Sequence, residues 1–241
     1  MTTLRTFAVP ATFQRIWEKI GSRPFSPREV EELARKRGVA NYVVLSRLTQ
    51  GGWLLRLSRG RYLAAEPLVR MDSRLRTRLA PFRERCFYPI LQGAVASILQ
   101  VYAGQVIAIA LFGSAARGTD SPESDLDLLV LVDRRTASPM DDARTRARIG
   151  RLSAGARMEE WETRRHFHQV QVVIAIPSDL DRPGPLFLDL SQDAHVLWDP
   201  SGVLARGLRR FAARLRSAGA RRRHSSQLGT YWDLGRAFAE G

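Results

Sequence analysis

The chain has 241 residues, of which 44% are hydrophobic and 26% charged, a composition typical of a soluble globular protein with one large domain or two small ones. These values exclude a disordered or collagen-like chain, and the single cysteine, Cys86, excludes a disulfide scaffold. The first twenty residues carry charges and lack the apolar core of a signal peptide, so we expect a cytoplasmic protein.

The net charge of +14 is concentrated at the two ends of the chain. Residues 1–65 contain 12 basic and 4 acidic side chains, residues 201–241 contain 9 and 2, and residues 66–200 are almost neutral. Basic flanks predict a polyanionic partner, because neutralising phosphates releases counterions and favours association. Composition offers an alternative, since 36 of the 38 basic residues are arginine, as a GC-rich genome would favour.

Residues 10–65 predict three short helices followed by a β-hairpin. The first helix covers about residues 12–21, and the third covers about residues 41–50. Ser26-Pro27 with Glu29 begins the second helix, and Gly38 ends it. Strands are expected at residues 53–58 and 61–64, joined by a tight turn at Arg59-Gly60. Their order resembles the winged helix-turn-helix domains of prokaryotic regulators and antitoxins.

The winged-helix resemblance implies that the third helix enters the major groove and that the hairpin touches phosphates or the minor groove. The nucleic-acid-binding residues that it implies are Asn41, Ser46, Arg47 and Gln50 on the helix and Arg56, Arg59 and Arg61 on the hairpin. Winged helices also act as protein-contact modules, and arginines can simply be solvated. The expected partner is DNA or tRNA, with both alternatives left open.

A stretch without charged residues, from Cys86 to Ala116, is long enough to imitate a membrane span. Pro89 and several glycines and glutamines interrupt it, so we predict a helix followed by a strand and no membrane contact. The connector that leads into it is basic, with arginines on a polar helical face at Arg70, Arg74, Arg78 and Arg85.

Two apolar strands carry the motif with the most chemistry. The first, residues 106–112, ends in Gly113-Ser114-Ala115-Ala116-Arg117-Gly118, and Ser124-Asp125-Leu126-Asp127 leads into the second, residues 128–132. Alternation along a strand places Asp125 and Asp127 on one face. Two such carboxylates suit Mg²⁺ (or Mn²⁺), which takes its remaining ligands from water and phosphates. The backbone amides and hydroxyl of the Gly113-Ser114 turn can hold a triphosphate.

This constellation resembles the DNA polymerase β-like nucleotidyltransferase superfamily over about residues 90–180, and most of all its minimal bacterial and archaeal members. The resemblance implies that Asp125 and Asp127 are catalytic metal ligands. It implies nucleotide-binding roles for Gly113, Ser114, Arg117 and Ser124, with ATP or another NTP as substrate. The reaction would move a nucleoside monophosphate onto a hydroxyl of a nucleic acid or a protein.

The sequence departs from this family at the third carboxylate, which normally lies on a later strand and accepts the proton of the attacking hydroxyl. The predicted strand at residues 168–176 has Gln171 at that position, and an amide cannot act as a base. Alternative acids lie upstream, at the end of a predicted helix: Glu159, Glu160 and Glu162.

We therefore expect an α+β chain of three parts: a winged helix-turn-helix at residues 1–66, a nucleotidyltransferase domain at residues 67–200 and a basic helical segment at residues 201–241. The central part should contain leading connector helices and a small mixed β-sheet flanked by helices. Two functions stay open, a magnesium-dependent nucleotidyltransferase and a DNA-binding regulator of toxin–antitoxin or defence type with a degenerate transferase domain. The oligomeric state is also open, a homodimer included.

Overall fold

The computed structural model has the predicted α+β architecture: it contains helices, one four-stranded sheet and two separate hairpins. It describes residues 9–34, 40–134, 143, 146–150, 157–158, 161–162, 165–225 and 229–234. These residues form two compact units, and each is described by itself. The first unit comprises described residues of 1–103, 121–125 and 137–171, and the second those of 104–120, 126–136 and 172–241.

The first unit begins with helices and a hairpin in the predicted order. The elements are α1 (Ala11–Ile20), a 3₁₀ turn (Pro27–Val30) continuing into α2 (Glu31–Ala34), α3 (Asn41–Gln50), β1 (Leu54–Ser58) and β2 (Arg61–Ala64). β1 and β2 are antiparallel. The helices bury their apolar faces in one cluster, which includes Phe13, Ile16, Val30, Leu45 and Trp53. The predicted end of the second helix, Gly38, lies outside the described residues.

The connector of the first unit is helical. Its elements are α4 (Pro67–Met71), α5 (Ser73–Leu79), a 3₁₀ turn (Ala80–Phe82) and α6 (Tyr88–Tyr102). α6 is buried along most of its length and is followed, after a 3₁₀ turn (Ala103–Gln105), by a strand, as predicted. Among the described residues, no helix combines the length and the apolar character that a membrane crossing requires.

The four-stranded sheet has the strand order β5-β4-β3-β6. Its strands are β3 (Val106–Phe112), β4 (Leu126–Val132), β5 (Val170–Ala175) and β6 (His195–Trp198), and β3 is antiparallel to both β4 and β6. The short helix α7 (Gly113–Arg117) follows β3 directly. The strand predicted at residues 168–176 starts at Val170. His168, before it, is fully buried, with its ring centre 5.7 Å from that of Phe87.

Two further helices complete the second unit, α8 (Leu186–Asp193) and α9 (Val203–Ser217). Their apolar residues share one core cluster with the strands, in which Leu190, Leu208 and Phe211 accompany Ala110 and Leu129. The opposite face of α9 is exposed and strongly basic; it carries Arg206, Arg209, Arg210, Arg214 and Arg216. This amphipathic pattern explains why the segment forms a helix and which face of the helix packs against the core.

The prediction of a helical segment throughout residues 201–241 is wrong beyond α9. The helix ends before Gly219, whose φ of +73° is left-handed and stops helical propagation. A second antiparallel hairpin follows, with strands β7 (Arg221–Ser225) and β8 (Gly229–Asp233). Long-range contacts hold it on α8, because Arg222 pairs with Asp193 and the Trp232 indole N–H donates to Asp189.

Candidate functional site

Gly113 is the point at which β3 turns into α7, and the local geometry favours glycine there. Its φ of +73° lies in the left-handed region, which disfavours side chains. A Cβ atom at this position would also collide with Oδ2 of Asp127 and lie 3.2 Å from its Cγ. The register explains the approach, since Phe112 pairs directly with Asp127 across β3 and β4. The structure thus brings together the glycine and one aspartate of the predicted site.

Ser114 and its neighbours form a single helical turn after Gly113. Ser114 is half-buried, and its carbonyl accepts a hydrogen bond from the Thr119 N–H at 3.0 Å. Ala115 and Ala116 are buried, which fixes the turn against the core. Gly118, with φ of +72°, ends it. The turn therefore has a fixed conformation, with the Ser114 side chain at its start beside Gly113.

The acidic pair occupies the beginning of β4. Asp127 is the second residue of the strand, and Asp125 directly precedes it. Both aspartates are half-buried and flank the fully buried Leu126, the alternation that the sequence predicts. Ser124 lies in the preceding loop, where its hydroxyl accepts a hydrogen bond from the Ser121 N–H at 2.8 Å. Ser124 and Asp125 belong to the first unit, and Asp127 belongs to the second.

Arg117, at the end of α7, is held by a carboxylate that the sequence gave no reason to suspect. Its Nη1 lies 3.2 Å from Oδ2 of Asp193, whose side chain is only 12% exposed. The same carboxylate accepts two hydrogen bonds from Nη1 of Arg222, at 2.9 and 2.8 Å. Asp193 therefore fixes one arginine of the predicted site and one of the C-terminal hairpin.

The position predicted for a third carboxylate is Gln171, the second residue of β5. Its side chain is exposed, on the strand next to β4 in the sheet. Of the alternative acids, Glu162 is exposed in a helical turn, and Glu159 and Glu160 lie outside the described residues. Among the described residues, no three His, Cys, Asp or Glu side chains gather closely enough to hold a metal ion by themselves.

The residues predicted to contact nucleic acid lie on α3 and the first hairpin. Ser46, Arg47 and Gln50 are exposed, on the side of α3 away from the buried Val44, Leu45 and Leu48. Asn41 is half-buried and lies one turn before Val44 and Leu45, on their side of the helix. Arg56 and Arg59 are exposed and Arg61 is half-buried. Tyr42, which the sequence-based choice does not include, is 75% exposed on α3. The sequence could have indicated this exposure, since Tyr42 lies off the apolar face of the predicted helix and is not needed for the core.

Residues 94–181 match a family model described as nucleotidyltransferase domain. The match spans the second half of α6, the Gly113 turn, the aspartates and β5. It confirms the predicted resemblance for this segment of the chain. The comparison with curated proteins found no match.

Three solved structures show a weak similarity. A toxin–antitoxin crystallised with AMP-PNP is 18% identical over 52% of this chain and 90% of its own, with a TM-score of 0.33. A mutant of the toxin–antitoxin MntA-HpeT is 16% identical over the same shares, with a TM-score of 0.33. A proposed nucleotidyltransferase from Sulfolobus solfataricus is 15% identical over 54% and 90%, with a TM-score of 0.30. These similarities are too weak to assign an activity.

Proposed function

We propose that this chain binds a nucleoside triphosphate at Gly113, Ser114, Asp125 and Asp127 and transfers its nucleoside monophosphate to an acceptor hydroxyl. One observation carries the proposal: the Asp127 carboxylate lies against Gly113, where a Cβ atom would collide with it, at the end of two paired strands. A glycine in that place leaves the backbone open to close approach by a ligand. The family match over residues 94–181 supports the same chemistry.

The donor set fits a divalent cation of the Mg²⁺ or Mn²⁺ type. Asp125 and Asp127 offer hard carboxylate oxygens, and both are half-buried. Such a cation takes its remaining ligands from water and substrate phosphates, so two protein carboxylates are sufficient. When bound, it would neutralise charge on the phosphates and polarise the α-phosphoryl group.

The chain's own residues then orient the substrate. Ser114 lies at the start of the α7 turn, where its hydroxyl can donate to a phosphate oxygen. Arg117 is held by Asp193 and adds positive charge on the same turn. In the transfer, the acceptor oxygen forms a bond to the α-phosphorus as the bond to pyrophosphate breaks. The proton of the acceptor hydroxyl leaves to a base.

We also propose that α3 and the first hairpin bring a nucleic acid, DNA or tRNA, to the protein as a winged helix does. The exposed Ser46, Arg47 and Gln50 on α3 and the exposed Arg56 and Arg59 on the hairpin support this role. Arginines suit phosphate contacts, and exposed polar residues of a helix suit base edges. The acceptor hydroxyl would then belong to the bound nucleic acid, with a protein hydroxyl as the other acceptor class.

The first prediction tests the acidic pair. Asp125→Asn and Asp127→Asn together should abolish metal-dependent ATP binding, because they remove both charged oxygen ligands while preserving side-chain size. Isothermal titration calorimetry with ATP and MgCl₂ measures the loss. The matched control is Asp181→Asn, which removes an exposed carboxylate within the matched segment. Unchanged ATP affinity in the double variant would remove the central claim.

A second candidate function follows from Gln171: a DNA-binding regulator whose transferase domain binds nucleotide without turnover. The exposed amide on β5, beside β4, favours it because the position expected for a base carries none. General-base catalysis contributes roughly 10²–10⁴ in rate, so its loss would slow transfer strongly.

The second prediction separates the two candidates. Gln171→Asp should raise the transfer of labelled NMP to tRNA, a DNA primer or the protein itself by at least about tenfold. Gln169→Asp is the matched control, since it places the same charge at another exposed residue just before β5. An unmodified protein that already turns over at about one per second, or a slower Gln171→Asp variant, would contradict the assignment of Gln171. Glu160 and Glu162 would then be the acids to replace.

A further inference from the structure

A cavity of about 340 Å³ lies within the first unit, and none of the residues that line it belongs to the proposed NTP site. Residues at the end of α3, in α4 and α5, and at the start of α6 line it. The polar residues of its wall are Gln50, Arg70, Arg76, Arg83, Tyr88 and Gln92. Its volume is in the range of small-molecule sites.

The cavity concentrates positive charge. The residues that line it include three arginines and no carboxylate. Burial, followed by the positive charges of Arg76 and Arg83, lowers the pKa of Arg70 from its usual value. Like charges this close raise the free energy of the folded chain, and an anion between them would relieve that cost.

Two of the three arginines are fixed by the surrounding backbone. Arg70 donates from Nη2 to the Gly51 carbonyl at 2.6 Å, and its guanidinium carbon lies 4.9 Å from the centre of the Trp53 ring. Arg76 donates from Nη1 to the Arg70 carbonyl at 2.8 Å. These contacts hold the charges in place before any ligand arrives, which lowers the entropic cost of binding.

Arg83 is the third arginine of the cavity, and it lies close to Gly52, as Arg70 does. Its Nη2 would lie 3.7 Å from a Cβ at position 52, and Nε of Arg70 would lie 3.6 Å from the same atom. Gly52, with φ of +71°, thus lies beside both guanidinium groups. Within the part of the chain that the structure describes, no carboxylate forms an ion pair with Arg83. Its donors are therefore available to a ligand.

The other polar residues that line the cavity are uncharged. Gln92 is only 4% exposed and Tyr88 only 9%, and the Gln92 side chain hydrogen-bonds Tyr88. Burial raises the pKa of Tyr88, so its hydroxyl stays protonated at neutral pH and can donate. A buried amide and a phenol beside guanidinium groups provide orienting hydrogen bonds for a ligand that is partly anionic and partly uncharged.

We propose that this cavity binds a small molecule that carries a phosphate monoester, of about the size of a mononucleotide. Planar guanidinium groups bind phosphate oxygens through paired hydrogen bonds, and three of them match a dianion. Gln50, at the end of α3, would contact the same ligand and connect its occupancy to the helix proposed for nucleic-acid contact.

The test measures binding of 5′-AMP, adenosine and inorganic phosphate to the full chain by calorimetry, in EDTA so that metal-dependent binding at the aspartates does not contribute. We expect AMP to bind and adenosine, which lacks the phosphate, not to bind. Arg83→Gln should weaken AMP binding by at least about tenfold, since it removes a charge-assisted pair of hydrogen bonds. Arg74→Gln, at an exposed arginine of α5 outside the cavity, should bind AMP as the wild type does.

The Asp127→Asn variant should also retain AMP binding, which separates this site from the proposed NTP site. Equal affinities for AMP and adenosine, or equal affinities of Arg83→Gln and Arg74→Gln for AMP, would overturn the proposal. Binding of inorganic phosphate alone, without AMP, would overturn the proposed size of the ligand. Loss of duplex DNA affinity in Arg83→Gln, without AMP binding by the wild type, would assign these arginines to nucleic-acid contact instead.

Discussion

Glu66 shows how burial of one carboxyl makes folding stability depend on pH. The residue precedes α4, and its N–H donates to Oε1 of Gln92 at 3.4 Å. Burial raises the pKa of its carboxyl from its usual value of 4.5 to about 7. The folded chain therefore holds this proton more tightly than the unfolded chain. The resulting stabilisation is complete below about pH 4.5 and is lost as the pH rises through about 7.

Replacing Glu66 by Gln removes that titration, which gives the third prediction. Glu66→Gln should match the wild type in free energy of unfolding at pH 4.5 and exceed it at pH 8 by up to about 3 kcal/mol. Urea denaturation at the two pH values measures the difference. Glu32→Gln, which removes an exposed carboxylate of α2, controls for the change in net charge. A difference that does not grow with pH would contradict the role of burial.

The residues of the proposed site differ in how far the sequence could predict them. Gly113 and Asp127 are separated by a short loop between two apolar runs, so strand pairing alone brings them together. The carboxylate that holds Arg117 is Asp193, 76 residues further along, on a helix with no motif. Such pairings depend on how α8 packs on the sheet, and no local pattern encodes that packing.

At the scale of elements, the start of the 3₁₀ turn after Ser26 is fixed by a carboxylate, as the Ser-Pro-x-Glu pattern predicts. Glu29 accepts hydrogen bonds at Oε2 from the Ser26 N–H at 2.7 Å and the Ser26 hydroxyl at 3.0 Å, and at Oε1 from Arg23 at 2.7 Å. The backbone hydrogen bond from Ser26, followed by the one from Arg23, lowers the pKa of Glu29 to about 2. The charged form therefore stabilises the cap.

The fourth prediction is that Glu29→Gln destabilises the chain at pH 7 by about 0.5–1 kcal/mol, a value reduced by solvent screening of this partly exposed side chain. Because the folded pKa is lowered, the effect is present above about pH 4.5 and is lost as the pH falls through about 2. Chemical denaturation at pH 7 and in acid, with Glu32→Gln as the control, measures it. A loss that persists unchanged in acid would exclude the charge as its cause.

Local sequence patterns predicted most helices and strands, and the C-terminal hairpin is the exception. The capping pattern at Ser26 and the apolar periodicity of α1 and α3 act within a few residues, so the sequence alone defines those helices. The hairpin at Arg221–Ser225 and Gly229–Asp233 has a basic first strand that resembles a solvated helix face in sequence. Its strand form depends on Asp189 and Asp193 of α8, which pair with Arg222 across the fold.

For the whole molecule, the sequence shows where positive charge lies along the chain, and the structure shows where it lies in space. The positive ends of the chain lie largely on surfaces, as the exposed arginines of α9 and of the first hairpin show. Structure adds that three further arginines, Arg70, Arg76 and Arg83, converge on a cavity in the nearly neutral middle segment. A count of charges along the chain cannot reveal such convergence, because it depends on how α3, α5 and α6 pack.

The last prediction concerns the salt dependence of nucleic-acid binding, which reports how many phosphates the whole molecule neutralises. Each phosphate contact contributes about 0.9 to the slope of log affinity against log salt. Neutralising the exposed Arg56 and Arg59 of the hairpin by Arg→Gln substitution should lower the slope for duplex DNA by about two. Fluorescence anisotropy over a salt series measures it, and Arg74→Gln with Arg78→Gln on α5 is the control with the same change in charge. If the hairpin pair and the control pair change the slope equally, binding follows net charge alone and the hairpin makes no specific contact with DNA.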